Sequence, residues 1–204
     1  MRNPTNTINS YITDMLALEE HIEKAVSGQI RAVGDHPQVG ADLQTIQRWI
    51  QLHIANLKQL MGTRGATTAT GAIKRAGSSV LGRAAGAIDL LRQDGQSKNL
   101  RDDYTAFSLA AIGYVMLNTT ALALGDKEVA ELASQHLGNY TTGLIALHYI
   151  IPAVVVRSLQ KEGLPAREDV LTDVFRNVEV AWARSQTVQT HTARATTFRG
   201  RPSS

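Results

Sequence analysis

The stretch Ala41-Asp42-Leu43-Gln44-Thr45-Ile46-Gln47-Arg48-Trp49-Ile50-Gln51-Leu52-His53-Ile54-Ala55-Asn56-Leu57-Lys58-Gln59-Leu60 decides the fold class. Leu43, Ile46, Ile50, His53, Leu57 and Leu60 follow one another at steps of 3, 4, 3, 4 and 3. Steps of that size put all six on one side of a helix, facing a core. One member of this seam is an imidazole, His53, among aliphatic side chains.

The same period continues on both sides. Upstream, Ile8, Tyr11, Ile12, Met15, Leu18, Ile22, Val26, Ile30 and Val33 predict a helix from about Asn6 or Thr7 to Val33. Gly34-Asp35-His36-Pro37 closes it, because proline cannot continue a helix. The quoted helix runs to about Met61. Residues 62–72, mostly Gly, Thr and Ala, form a connection, and residues 73–93 form a small-residue crossover helix. Tyr104, Phe107, Ala111, Tyr114, Leu117, Ala121 and Leu124 mark a further helix from about Arg101. Gly125-Asp126 stops that helix and caps the next, which is expected to bend at Pro152 and to end near Lys161. Its core positions are Val129, Ala133, Leu137, Tyr140, Leu144, Leu147, Ile151 and Val154. A last amphipathic helix is expected over about Ala166 to Arg184, striped by Leu171, Val174, Phe175, Val178 and Trp182.

Alternation of the strand type is nearly absent, so the chain reads as all-α. Two long helices, a helical crossover and two more long helices predict a ferritin-like up-down four-helix bundle. The expected organisation is a bundle over residues 1–161, an additional amphipathic helix over 162–184 and an extended, basic, Thr-rich arm over 185–204.

Composition narrows the chemistry. The 204 residues suffice for one substantial domain, and 43% hydrophobic with 19% charged residues is an ordinary globular balance. With no Cys there is no disulfide, thiol nucleophile, zinc–thiolate site or iron–sulfur cluster. Lys and Arg number 21 against 18 Asp and Glu, and the arm carries Arg194, Arg199 and Arg201 with no acid. The excess charge therefore sits in the arm, and a neutral body argues against a broad nucleic-acid face. The opening Met1-Arg2-Asn3-Pro4-Thr5-Asn6 has no apolar stretch, and the most apolar run, residues 143–156, is shorter than the roughly 20 residues that span a bilayer. The expectation is a cytoplasmic protein with no membrane span.

Three segments carry a resemblance: Tyr11-Ile12-Thr13-Asp14-Met15-Leu16-Ala17-Leu18-Glu19-Glu20-His21-Ile22, Ala121-Leu122-Ala123-Leu124-Gly125-Asp126-Lys127-Glu128-Val129-Ala130-Glu131-Leu132, and the crossover around Ser78-Ser79-Val80-Leu81-Gly82. They resemble the opening helix, the inter-helix turn and the crossover of the ferritin-like family of small, stress-associated bacterial proteins of unassigned activity. The resemblance covers about residues 7–160 and implies the bundle fold. The wider superfamily often holds two irons through a Glu on each of two helices and Glu-x-x-His on the other two. Here Ile50 lies three residues before His53, Ala133 before His136 and Ile145 before His148. That departure speaks against di-iron chemistry and against an enzyme of the ferroxidase, oxygenase or peroxidase type.

Polar residues on core-facing positions remain. Glu19 flanks the first seam, His53 lies on the second, His136 borders the seam of the helix after Asp126, and Asn118 borders that of the helix before it. Glu19, His53 and His136 are the candidate ligands of a single iron or manganese ion; a hydrogen-bonded polar layer that sets helix register is the plainer reading. The leading expectation is a non-catalytic bundle without a cofactor that assembles as a homo-oligomer. Its candidate contact residues are Phe175, Trp182, Arg194, Phe198, Arg199 and Arg201. The alternatives are a stress-associated metal-binding protein with a non-standard site, and a nucleoid-type DNA binder, or binder of an acidic protein, that uses the basic arm.

Overall fold

The structure, a computed structural model, describes residues 3–32, 37–65 and 95–197. Five helices and no strand occur among the described residues: α1 Pro4–Ala32, α2 Pro37–Thr63, α3 Gln96–Ala123, α4 Lys127–Lys161 and α5 Leu171–Thr197. The expected crossover helix over 73–93 lies outside the described residues, as do Phe198, Arg199 and Arg201.

Helix ends follow local chemistry. α1 and α2 each begin on a proline, earlier than Asn6 and Ala41, because a proline's fixed φ and missing N–H suit the first helical position. Asn3 Oδ1 accepts the Thr5 N–H at 2.9 Å and caps α1. Gly125, at φ 79°, makes the reversal after α3. Asp126 Oδ1 then accepts the Val129 N–H at 3.2 Å and caps α4. The last helix corrects the expectation at both ends. It starts at Leu171, since Arg167 pairs with Asp169 and residues 168–170 form a bend and turn. It continues to Thr197, so residues 185–197 are helical where an extended arm was expected. That run holds neither Pro nor Gly, so no helix breaker interrupts it.

The chain divides into two compact units, Met1–Ile151 and Pro152–Ser204. In the first, the predicted seam of α2 is buried at every position. In α4 the buried line is Val129, Ala133, His136, Tyr140, Gly143, Leu147 and Ile150. Leu137 and Leu144, expected in that core, lie half-buried one residue aside, and His136 takes the central position. Similarly α1 buries Gln29 rather than Ile30, and α3 buries Asp103 rather than Tyr104. In the second unit Leu171, Val174, Phe175 and Val178 are partly buried and Trp182 is exposed.

Helix directions follow from the cross-helix pairs. Glu23 meets Gln47 and Glu19 meets His53, so α1 and α2 run antiparallel. Gln29 meets Asp103 and Glu19 meets Tyr114, so α1 and α3 are antiparallel too. Therefore α2 and α3 run in the same direction. That is the ferritin-like topology. Tyr114 meets His136, and Asn118 Nδ2 donates to the Ala130 carbonyl at 2.8 Å, which makes α3 and α4 an antiparallel pair.

Polar ties hold the two ends of the bundle. At one end Arg64 makes a two-pronged pair with Asp126, at 2.6 and 2.9 Å, joining the end of α2 to the α3–α4 turn. Arg64 holds the Asp126 carboxyl below the usual carboxylate range. At the other end Gln29 Nε2 donates to Asp103 Oδ1 at 2.8 Å and ties α1 to α3. Gln29 Oε1 and Asp103 Oδ2 are both buried without a donor, and a proton on Asp103 is what such a pair of acceptors lacks. Burial pushes the Asp103 carboxyl up to about 7, with the Gln29 bond opposing and the Asp102 charge adding.

Folded Asp103 thus binds a proton more tightly than the unfolded chain, whose carboxyl titrates near 3.8. The resulting stabilisation is complete below the unfolded value and is lost as pH rises through about 7. At ~1.4 kcal/mol per pKa unit it is at most about 4 kcal/mol. Urea unfolding across pH 4–8 is expected to show the stability of the natural protein falling relative to that of Asp103→Asn. Parallel pH profiles for the two would contradict this account.

Candidate functional site

The polar centre of the bundle is built on the carboxylate of Glu19, which has no solvent exposure. It sits on α1 between Met15 and Ile22, inside the buried stripe. Three donors from three other helices reach it. His53 Nδ1 on α2 lies 3.0 Å from Oε1, the Tyr114 hydroxyl on α3 donates to Oε1 at 2.5 Å, and the Tyr140 hydroxyl on α4 donates to Oε2 at 2.6 Å. A carboxylate has only acceptor sites, and here it is enclosed by groups that can donate. Burial first, and then the Glu19 charge, push both phenols well above the ordinary tyrosine value, so both remain donors at neutral pH.

His136 extends the centre. Its Nδ1 lies 2.9 Å from the Tyr114 hydroxyl and its ring stacks on His53, with centroids 3.8 Å apart and planes 21° apart. Burial and the neighbouring His53 push His136 down to about 3, so its ring is neutral at physiological pH. Two asparagines close the outside. Asn139 Nδ2 lies 3.0 Å from His53 Nε2, and Asn56 Nδ2 lies 3.4 Å from His136 Nε2.

The structure brings together all three candidate ligands named from the sequence. Glu19, His53 and His136 are buried, come from three helices, and present ligand atoms within 4.8 Å of one another. Two ligand atoms each 2.0–2.2 Å from one ion lie no more than about 4.4 Å apart. The donor set fits one ion with an inward adjustment of about half an ångström. Two imidazoles and one carboxylate on three elements form a set that suits iron(II). Tyr114 and Tyr140 were read from the sequence as core residues only, and Asn56 and Asn139 were missed. Asn56 follows His53 by three residues and Asn139 follows His136 by three, the spacing that shares a helix face.

The remaining sequence candidates lie elsewhere. Phe175 and Trp182 belong to the second unit. Arg194 is within α5, with its side chain outside the described residues. His148 packs by Tyr104 with ring centroids 5.1 Å apart, and burial lowers its pKa.

Removing one donor from a buried, ionised acceptor costs about 1.5–3 kcal/mol. Tyr140→Phe, which changes little else in volume, is expected to lower the unfolding free energy in urea by that amount. A loss under about 0.5 kcal/mol would show that the Tyr140 bond contributes no more than an ordinary surface contact.

Comparison with known proteins came down to family and fold. No curated protein matches the chain. A protein of Xanthomonas campestris pv. campestris, known from a crystal structure, shares the fold at 18% sequence identity and a TM-score of 0.65, over 80% of this chain and 100% of that one. The family model described as "Domain of unknown function (DUF892)" matches residues 9–160, which takes in all four helices of the polar centre, and the chain belongs to that family.

Proposed function

We propose that the protein binds a single iron or manganese ion at Glu19, His53 and His136. The observation that carries this reading is the convergence of one carboxylate and two imidazoles from three helices at one fully buried level. A carboxylate buried among imidazoles and phenols, with no Lys or Arg beside it, is a setting that a divalent cation suits. His136 is already neutral, so one of its two ring nitrogens carries a lone pair. With a single carboxylate in the centre, the site is a one-ion site, distinct from the di-iron pattern of the wider superfamily.

A second reading, self-association, is favoured by a separate observation. Leu109, Ile112 and Met116 lie at i, i+3 and i+7 on α3 and are 39–59% exposed, and no charged residue occurs between Asp103 and Asp126. An exposed apolar face of this kind fits a second copy of the chain better than a charged partner.

Titration of the apoprotein with Fe(II) or Mn(II) under anaerobic conditions is expected to give one ion per chain. His53→Ala and His136→Ala should each weaken binding by at least tenfold while keeping the helical circular dichroism. Binding that is absent at micromolar protein, or unchanged in both variants, overturns the metal reading. For self-association, sedimentation is expected to show an oligomer that Ile112→Glu and Met116→Glu together convert to monomer; a natural monomer that instead sediments with lipid vesicles assigns the apolar face to a membrane surface.

A further inference from the structure

The hydrogen bonds of the polar centre have a direction. Glu19 accepts, so His53 Nδ1 must carry the proton it donates to Oε1. Tyr114 spends its own hydrogen on Glu19, so its oxygen accepts from His136, whose Nδ1 must also carry a proton. In neutral rings this leaves Nε2 of both histidines as acceptors. Each is met by an amide NH2, that of Asn139 for His53 and that of Asn56 for His136. The amide orientation is therefore dictated by the network rather than free. It also leaves neither ring with a lone pair on the Glu19 side, since Nδ1 of both faces that side and both are protonated.

The geometry points to Asn56 and Asn139 as positioning residues that set which ring nitrogen of His136 and His53 carries the proton, and whose amides must turn over before either ring offers Nδ1 to a cation beside Glu19. After such a turn the amide oxygen accepts from Nε2–H, and the Nδ1 lone pair is released toward the centre. A carbonyl accepting from the distal nitrogen of a metal-bound imidazole is the usual outer partner of such a ligand. Both asparagines are partly exposed and border clefts. Asn56 is partly exposed and lines an open cleft of about 380 Å³ with Gln59, Thr63 and Glu128. Asn139 is partly exposed and lines a smaller cleft of about 180 Å³ beside Trp49, His53 and Gly143. One cleft borders the centre at Asn56, and the other at Asn139 together with His53 and Tyr140. The cation part of this inference rests on the metal-binding reading above; the tautomer part does not.

The test uses the full-length, nitrogen-15-labelled protein without metal, and long-range proton–nitrogen spectra of the histidine rings. Both buried rings are expected with the proton on Nδ1 and a bare Nε2. Asn56→Asp replaces the amide by a group that only accepts, and is expected to place a proton on Nε2 of His136 while leaving His53 unchanged. Asn139→Asp should do the same for His53 alone. If Nε2 stays bare in both variants, or is already protonated in the natural protein, the inference is overturned. Asn56→Leu, which has no polar group and keeps the core seam, serves as the folding control, and its Nε2 signal is expected to show a mixture of tautomers; a pure Nδ1–H ring there would equally count against a role for Asn56. With Zn(II) as a diamagnetic probe, the natural protein is expected to move both ring protons to Nε2, and each Asn→Asp variant to bind about tenfold more tightly. Zinc binding with Nδ1–H retained would sink the inference and leave the metal site standing through Nε2. No zinc binding at all would remove the metal reading, and the metal-free spectra would still decide the role of the two asparagines.

Discussion

The bundle is organised around one buried negative charge. Glu19 sits on the first helix with no solvent contact, and the other three helices each contribute a donor to it. Taking a carboxylate out of water costs several kcal/mol, and three charge-assisted bonds of about 1.5–3 kcal/mol each roughly offset that cost. The net contribution to stability is therefore small, while the penalty for any arrangement that fails to bring all three donors to Glu19 is large. Such a group acts on register more than on stability. Sliding α2 by one turn would bring Ile50 or Leu57 to the carboxylate in place of His53.

That constraint works together with the ties at the two ends. Arg64 on Asp126 joins the end of α2 to the α3–α4 turn, and Gln29 on Asp103 joins α1 to the beginning of α3. With the middle fixed by Glu19, each helix of the pairs is held at more than one level. Between these levels Ala110, Ala111, Ala121 and Ala133 are fully or almost fully buried beside larger residues such as Phe107 and Leu117. Small residues let the helices approach closely, which is what allows one carboxylate on α1 to reach a phenol on α4.

The chemistry of the centre follows from its closure. Every polar atom of Glu19, His53, His136, Tyr114 and Tyr140 takes part in the network, and the neutral state of His136 lets two imidazoles stack at 3.8 Å without repulsion. Donors saturate the carboxylate from the inside and amides close the rings from the outside. The residue types that set register as a polar layer are also types that can hold a cation, and on the tautomer proposal above the two roles differ in which ring nitrogens carry protons.

The periodicity of the chain alone specified the all-α class, the seam of α2 including His53, the stop and cap at Gly125 and Asp126, and the absence of Glu-x-x-His. It also singled out Glu19, His53 and His136 as polar groups on inward faces, because a 3.6-residue period reveals direction around a helix axis. Height along the bundle, however, is a relation between helices, and only the packing placed those three residues at one level. The same holds for Tyr114 and Tyr140, whose rings satisfy the apolar pattern while their hydroxyls point at a carboxylate more than ninety positions away in the chain. Gln29 and Asp103 were displaced in the reading by Ile30 and Tyr104, since hydrophobicity assigns the larger apolar neighbour inward, whereas the structure pairs two polar groups there. The helical course of residues 185–197 was likewise missed, as threonine content argued for extension and carried more weight than the lack of any helix breaker. Sequence pattern thus determined which face each residue occupies, and tertiary structure decided which faces meet, because hydrogen-bond partners on different helices leave no periodic trace in either one.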